Sequence, residues 1–125
     1  MTRILVAEDD MDLRQIIHDL LTANGFEILL AADGREALLL VKQNKPDLLV
    51  LDLAMPEVDG WHVAEALRES PSTRKLPILA LTAYAMADDC ERALRAGCDS
   101  YLSKPFVLDD LLVEIHRLLK RTPPA

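Results

Sequence analysis

Five short aliphatic segments alternate with five longer segments of helical periodicity, and this alternation limits the possible folds more than any other feature. The aliphatic segments are predicted strands at Arg3–Ala7, Glu27–Ala31, Leu48–Leu51, Ile78–Leu81 and Ser100–Leu102. After each of them, apolar residues recur every three or four positions, as on the buried face of a helix. Strands that alternate with helices form parallel sheets. The sequence therefore predicts an α/β fold, a doubly wound five-stranded parallel sheet with helices on both faces.

The third aliphatic segment, Leu48–Leu51, is apolar at every position. Such a run is expected of a central parallel strand that helices cover on both sides. The chain has 125 residues, the size of one ordinary domain. We therefore predict one domain over residues 1–121, a short tail at 122–125, and no output domain.

Composition excludes several classes of function. The net charge of −7 argues against direct nucleic-acid binding, which needs a basic face. No apolar run approaches the roughly 20 residues of a membrane span, and the first strand begins too early to leave room for a signal peptide. Cys90 and Cys98 lack metal-site spacing and are interpreted as reduced thiols. These observations predict a cytoplasmic protein that does not insert into membranes.

Polar side chains collect where the predicted strands end. They are Glu8 and Asp9 after the first strand, Asp52 after the third, Thr82 after the fourth and Lys104 after the fifth. In open α/β sheets the carboxyl ends of the strands converge on the crevice where ligands bind. Residues far apart in sequence are therefore expected to share one site.

The chemistry of that site follows from its charges. Glu8, Asp9 and Asp52 would bring three carboxylates together, and their repulsion would push at least one toward protonation. A hard divalent cation relieves this repulsion, and Mg²⁺ suits a site with few oxygen ligands from the protein. With Lys104 and Mg²⁺ neutralising charge on the transferring oxygens, Asp52 is well placed to attack phosphorus, and Thr82 offers a hydroxyl to one of those oxygens.

Four segments, ILVAEDD, DLAMPEVDG, ALTA and SYLSKPF, resemble the response-regulator receiver domain of two-component signalling, chiefly its single-domain chemotaxis and cell-cycle types. The resemblance extends from about Arg3 to Lys120 and implies the flavodoxin-like strand order 2-1-3-4-5. It makes Asp52 the phosphorylated aspartate. It also implies that Asp9 binds Mg²⁺ directly, Glu8 through water, and Ala54 through its backbone carbonyl.

The same resemblance assigns the switch residues. Thr82 matches the switch hydroxyl, Tyr101 the switch aromatic, and Lys104 the lysine that binds the phosphoryl group. The Lys104–Pro105 bond matches the cis peptide of the family, which aims the lysine inward. Two positions depart from the pattern, because Glu8 stands where Asp is commoner and Val107 cannot cap the last helix as the usual Ser does.

The resemblance implies a phosphoacceptor switch and no enzyme with a separate substrate. A histidine kinase or a histidine phosphotransfer protein would donate the phosphoryl group. The signal would pass to a protein target through the face formed by the fourth helix, fifth strand and fifth helix. Ala54 and Tyr84 occupy the positions that tune dephosphorylation in the family. Because Ala54 cannot orient water and Tyr84 could shield the phosphoryl group, slow self-hydrolysis is expected.

The same residues disfavour two alternative functions. A phosphatase that uses an aspartyl phosphate needs a second acid two positions after the nucleophile, where this chain has Ala54. Flavin or nucleotide binding is disfavoured, since the acids after the first strand repel phosphate and no glycine-rich phosphate motif is present. Two alternatives stay open: a receiver domain excised from a hybrid histidine kinase, and an interaction module that works without phosphorylation.

Overall fold

Five parallel strands and five helices alternate along the chain in a computed structural model that describes residues 2–55, 59–83 and 87–121, with the backbone alone for 87–90 and 121. The strands are β1 (Arg3–Ala7), β2 (Glu27–Ala31), β3 (Leu48–Asp52), β4 (Ile78–Thr82) and β5 (Ser100–Ser103). The helices are α1 (Met11–Ala23), α2 (Gly34–Asn44), α3 (Gly60–Glu69), α4 (Ala87–Ala96) and α5 (Leu108–Arg121). The predicted alternation is confirmed.

The strands form one sheet in the order β2-β1-β3-β4-β5, and every neighbouring pair is parallel. This confirms both the fold class and the strand order that the resemblance implied. Three strands extend one residue beyond their predicted ends, to Asp52, Thr82 and Ser103. Asp52 and Thr82 therefore belong to the rigid sheet itself, which fixes their backbones more firmly than a loop would.

The central strand β3 is buried at all five positions, as its sequence predicts. Its side chains alternate between two apolar layers. Leu48 and Val50 pack toward α1 and α5, whereas Leu49 and Leu51 pack toward α2, α3 and α4. Helices therefore cover both faces of the sheet and leave its carboxyl edge for the polar residues.

Aspartates begin three of the helices. The side chain of Asp10 accepts hydrogen bonds from backbone amides in the first turn of α1, and Asp33 and Asp59 do the same for α2 and α3. A carboxylate at this position satisfies amides that have no partner within the helix. These acids, close to the polar edge in sequence, serve local structure.

Burial raises the pKa of the Cys98 thiol to about 12, so the thiol stays protonated and unreactive at neutral pH.

Within the described ranges, no helix is both long and apolar enough to cross a membrane. Tyr84, the tail at 122–125 and the turn residues 56–58 lie outside the described residues. The expectations for them, including the domain boundary at residue 121, stay predictions.

Candidate functional site

Three carboxylates meet at the carboxyl edge of β1 and β3. These strands are paired side by side, with Ala7 opposite Leu51, so the residues that follow leave the sheet next to each other. Oxygen atoms of Glu8, Asp9 and Asp52 all lie within 4.8 Å of one another. The predicted convergence of these acids is therefore found in the structure.

Lys104 completes the cluster from the far side of the sheet. Its Nζ lies 2.6 Å from Oε1 of Glu8 and 3.4 Å from Oδ2 of Asp52. The backbone amide of Lys104 donates to the carbonyl of Thr82 at 2.7 Å, which ties the end of β5 to the end of β4. The Lys104–Pro105 peptide is cis, as the resemblance implied. One ammonium group therefore bridges two of the three carboxylates.

Burial differs sharply among the acids. Glu8 is fully buried and Asp52 is 2% exposed, whereas Asp9 is exposed. Burial raises the pKa of Glu8 from its ordinary 4.5 to about 7, and a hydrogen bond with Asp52 adds to the rise, while Lys104 opposes it. The sequence attributed protonation in this cluster to repulsion between carboxylates. The structure supports the direction and gives burial as the larger cause.

The other two charged groups shift in the direction that favours charge. Burial alone would raise the pKa of Asp9, but hydrogen bonds with Asp52 and Glu8 outweigh it and lower the pKa. Partial burial would likewise lower the pKa of Lys104, but its contacts with Glu8 and Asp52 raise it. At neutral pH the Lys104 side chain is therefore a stable ammonium ion. Because the pKa of Glu8 is about 7, this carboxyl group is close to half protonated at the same pH.

The loop after β3 and the start of α3 fix the position of Asp52. Oδ1 of Asp52 accepts a hydrogen bond from the backbone amide of Ala54 at 3.1 Å. The amide of Gly60 donates to the carbonyl of Leu53 at 3.0 Å, and a Cβ at position 60 would lie 2.5 Å from the carbonyl oxygen of Asp52. Only glycine allows this close approach of α3, a role that the sequence analysis did not identify.

Arg14 is a second residue that the sequence analysis did not identify. Its Nη1 donates to the backbone carbonyl of Glu8 at 2.9 Å, and the amide of Asp10 donates to Oε2 of Glu8 at 3.1 Å. Together these contacts hold the acidic segment between β1 and α1. Arg14 has no motif of its own, and only its helical spacing after Asp10 could have indicated the contact.

The predicted switch residues occupy different environments. Thr82 ends β4 and is 1% exposed; Leu81, the residue before it, pairs with Asp52. Tyr101 lies in β5 opposite Ala80 and is 38% exposed. Thr82 is thus buried beside the acidic cluster, whereas Tyr101 reaches the surface.

The donor set fits a hard divalent cation. Three carboxylates and one ammonium carry a combined charge of −2 when all are ionised, and every candidate ligand atom in the acidic group is oxygen. Oxygen ligands with incomplete protein coordination are typical of Mg²⁺ sites. Glu8, Asp9 and Asp52 are therefore the residues that could hold such an ion.

Comparisons with known proteins agree on one family. A family model described as the response regulator receiver domain matches residues 4–116. Response regulator MprA of Mycolicibacterium vanbaalenii is 45% identical over 122 residues, which cover 98% of this chain and 52% of that protein. The chain therefore spans about half the length of the curated relatives that it matches.

Solved structures support the same assignment. The receiver domain of a Francisella response regulator superposes with a TM-score of 0.92 at 35% identity, covering 98% of this chain and all of that one. The receiver domain of a sensor histidine kinase from Pseudomonas aeruginosa gives a TM-score of 0.88 at 32% identity, covering 95% and 98%. The structure of that receiver domain has a magnesium ion coordinated in its active site cleft.

Proposed function

This chain belongs to the response regulator receiver domain family of two-component systems, and from that premise we propose that it accepts a phosphoryl group on Asp52. The observation that carries the proposal is the meeting of Glu8, Asp9 and Asp52 around Lys104 at one edge of the sheet. Members of the receiver family are phosphoacceptor switches.

The nucleophile is a carboxylate oxygen of Asp52. It attacks the phosphorus of a phosphohistidine on a histidine kinase or phosphotransfer protein, forming a P–O bond as the P–N bond breaks. The departing imidazole nitrogen keeps the electron pair and is neutral, because the other ring nitrogen carries a proton. The amide of Ala54, 3.1 Å from Oδ1, keeps the carboxylate oriented during the attack.

Lys104 takes a new partner during the reaction. In the resting chain its ammonium bridges Glu8 and Asp52. Once Asp52 is esterified, the nearest negative charge is on the phosphoryl oxygens, and we expect Nζ to move toward them. Thr82 then donates its hydroxyl to another of these oxygens, and Tyr101 turns inward into the space that Thr82 leaves. This is a shift between two conformations of one chain.

The acidic group would also hold Mg²⁺, which receiver domains generally bind. Asp9 and Asp52 would ligate it directly, Glu8 through water and Ala54 through its carbonyl. When bound, the ion neutralises charge on the transferring oxygens. The carboxylates carry out the binding, and the Lys104 ammonium and the ion share the task of balancing their charge.

The output surface is proposed to be the face formed by α4, β5 and α5. Exposed apolar side chains lie on these elements and at the start of α5: Leu94, Tyr101, Val107 and Val113. Since Tyr101 belongs to the switch, its movement changes this face directly. The target is proposed to be a protein, because the net charge of −7 disfavours contact with nucleic acid.

A slow return to the resting state is part of the proposal. Ala54 is exposed beside the phosphoacceptor and has no polar side-chain group to orient an attacking water. A phosphoryl lifetime in Mg²⁺ longer than that of chemotaxis-type regulators is therefore expected. Decay as fast as in those regulators would contradict this expectation without affecting the assignment of Asp52.

The decisive experiment is Mg²⁺-dependent labelling with acetyl phosphate, followed by mass spectrometry of the intact chain. Wild type should gain one phosphoryl group, a chelator should prevent this, and Asp52→Asn should remain unlabelled. Asp59→Asn is the matched control, because it makes the same change at a helix cap where asparagine also serves. Labelling of Asp52→Asn at the wild-type rate would overturn the proposal.

A further inference from the structure

Trp61, the one tryptophan of the chain, lies in the first turn of α3. It is 7% exposed and packs in the apolar layer that joins α2, α3 and α4 to the sheet, together with Leu53 and Ala93. Its neighbour Gly60 touches the backbone of Asp52, as described above. Gly60 alone therefore separates the indole-bearing residue from the backbone of Asp52.

Arg92 reaches the same ring from α4. Its guanidinium carbon lies 4.2 Å from the centre of the Trp61 ring. A cation over an aromatic face is attracted by the electron density of the ring, and tryptophan gives the strongest such contact. Although burial raises the pKa of Asp59, hydrogen bonds from His62 and the charges of His62 and Arg92 lower it. Arg92 thus faces both the cap and the ring of the first turn of α3.

The described side chains of α4 contribute little apolar packing. Among the α4 side chains that the structure describes, residues 91–96, those buried in the apolar layer are Ala93 and Ala96. Leu94, the one large apolar side chain of this stretch, is 48% exposed. Alanine methyl groups interlock little, so small shifts of the helix lose few packing contacts. The stacked Arg92 therefore adds a specific contact between α4 and α3, besides the hydrogen bond that Arg68 of α3 donates to the carbonyl of Gly97 just after α4.

We propose that Arg92 and Trp61 are positioning residues that hold α4 in its resting place, and that a change at Asp52 reaches α4 through Gly60 and Trp61. The inference rests on the proposed phosphoacceptor role of Asp52. It adds a connection from α3 to α4 that does not involve Tyr101 of β5. Because coupling between sites is reciprocal, weakening the Arg92 contact favours the conformation that the phosphoryl group favours.

Trp61 fluorescence measures this connection, since no other tryptophan contributes. Beryllium fluoride with Mg²⁺ serves as the phosphoryl mimic at Asp52. In wild type, the mimic should change the emission in the direction that Arg92→Ala produces without it. In Arg92→Ala the further change should be small. The mimic should also bind Arg92→Ala about two- to fivefold more tightly, as expected for the loss of one exposed cation–π contact.

Two variants separate positioning from general damage. Arg92→Lys keeps a cation over the ring and should restore the wild-type affinity for the mimic in large part. Arg95→Ala removes an exposed arginine of the same helix and should match wild type in emission and affinity. In all variants the affinity for Mg²⁺ alone should stay unchanged, because the metal ligands are not altered.

The outcomes distinguish this inference from the proposed function. If wild type binds the mimic but Arg92→Ala equals it in affinity and in emission change, the connection through Trp61 is wrong while Asp52 keeps its role. If wild type fails to bind the mimic, or Asp52→Asn binds it equally well, the proposed function and this inference both fall.

Discussion

At the carboxyl end of the sheet, Glu8, Asp9 and Asp52 crowd three carboxylates around one lysine, whereas at the amino end each of the principal charges has a dedicated partner. The guanidinium of Arg68 donates to Oδ2 of Asp99 at 2.9 Å. The same carboxylate oxygen accepts from the amide of Ile78 at 2.8 Å, at the start of β4. Opposite charges are paired at this end, and like charges are held together at the other.

At the amino end, Arg68 makes hydrogen bonds to several segments of the chain at once. Besides Asp99, its side chain donates to the carbonyls of Gly97 at 2.8 Å and Arg74 at 2.9 Å. Gly97 has a φ of +115°, and a Cβ there would lie 2.4 Å from Cγ of Arg68. Glycine is required both by the backbone conformation and by the closeness of the arginine. The contact therefore joins α3, β4 and the turn before β5 into one unit.

Arg3 organises the neighbouring strands in a similar way. Its Nη1 donates to the carbonyl of Asn44 at 2.6 Å, its Nη2 lies 3.2 Å from Oε1 of Glu27, and its backbone amide donates to Asp47 at 2.8 Å. Its Nε is the one buried side-chain nitrogen or oxygen without a hydrogen bond among the described residues. Apart from Nε, the described polar groups of Arg3 are thus paired within the fold.

The difference between the two ends indicates where stability and function reside. A group of like charges reduces stability in the absence of its ligand, and such sites persist because the ligand requires them. Substitutions at the amino end should therefore reduce stability and spare phosphoryl transfer. Substitutions of Asp9 or Asp52 at the carboxyl end should abolish transfer and, without metal, leave stability equal or higher.

The largest effect is expected for Arg68→Ala. It removes charged hydrogen bonds to two carbonyls and the partner of Asp99, and should lower the free energy of unfolding by about 4 kcal/mol. Arg117→Ala, which breaks an exposed pair with Glu114 within α5, should cost under about 1 kcal/mol. Urea denaturation measures both. Equal losses in the two variants would contradict the special role of Arg68 at the amino end.

A pH dependence specific to Glu8 should be nearly as large. Its pKa in the folded chain, about 7, exceeds the ordinary 4.5, so the folded state binds more protons between these values. The stabilising contribution of this group is present at low pH and is lost as pH rises through about 7. Since one pKa unit corresponds to about 1.4 kcal/mol, the loss should amount to roughly 3 kcal/mol.

Glu8→Gln cannot lose a proton and should lack this decline. The difference in free energy of unfolding between Glu8→Gln and wild type, measured in chelator, should therefore grow from pH 4.5 to pH 8 in favour of the variant. Other acids shift in the opposite direction but are common to both proteins. A difference that stays constant with pH would show that burial does not control the protonation of Glu8.

Added Mg²⁺ should reverse the disadvantage of the carboxyl end. At a concentration one hundred times its dissociation constant, an ion that binds only the folded chain stabilises it by about 2.7 kcal/mol. Arg68→Ala should retain this full increment although its starting stability is lower. Asp9→Asn should lose most of it. An increment that falls equally in both variants would mean that the two ends do not act separately.

The smallest effect concerns one substitution made at both ends. Without metal, Asp52→Asn removes a buried charge from the carboxylate group and should raise the free energy of unfolding by about 1 kcal/mol. Asp99→Asn weakens the bond to Arg68 and should lower it by a similar amount. Thermal unfolding in chelator detects both signs. The same sign in both variants would remove the contrast between the ends.

Most of the fold and the membership of the site could be predicted from the sequence. The spacing of apolar residues predicted every strand and helix, because these residues must lie on the face of each element that packs into the core. Glu8, Asp9, Asp52 and Lys104 were found because parallel strands bring their carboxyl ends together, whatever their separation along the chain. Charge type and position at strand ends were sufficient for this part of the prediction.

The rest depended on distances that spacing does not encode. The ring of Trp61 and the guanidinium of Arg92 are 31 positions apart, and no pattern in either helix indicates that they stack. The close approach of Gly60 to Asp52 and the hydrogen bonds of Arg68 likewise depend on how closely α3 packs against the sheet, which residue spacing does not specify. The dominance of burial in the pKa of Glu8 also required knowing that this residue is fully buried in the fold.

The bridge from Lys104 to Glu8 joins residues that are 96 positions apart, across the two strands β3 and β4 that lie between β1 and β5 in the sheet. No fragment that lacks β5 can place an ammonium beside Asp52, and none that lacks β1 can supply the acidic pair. The proposed phosphoryl transfer would therefore require a chain in which the last strand has docked. A chain whose synthesis stops before β5 would hold the carboxylates without the lysine that balances their charge.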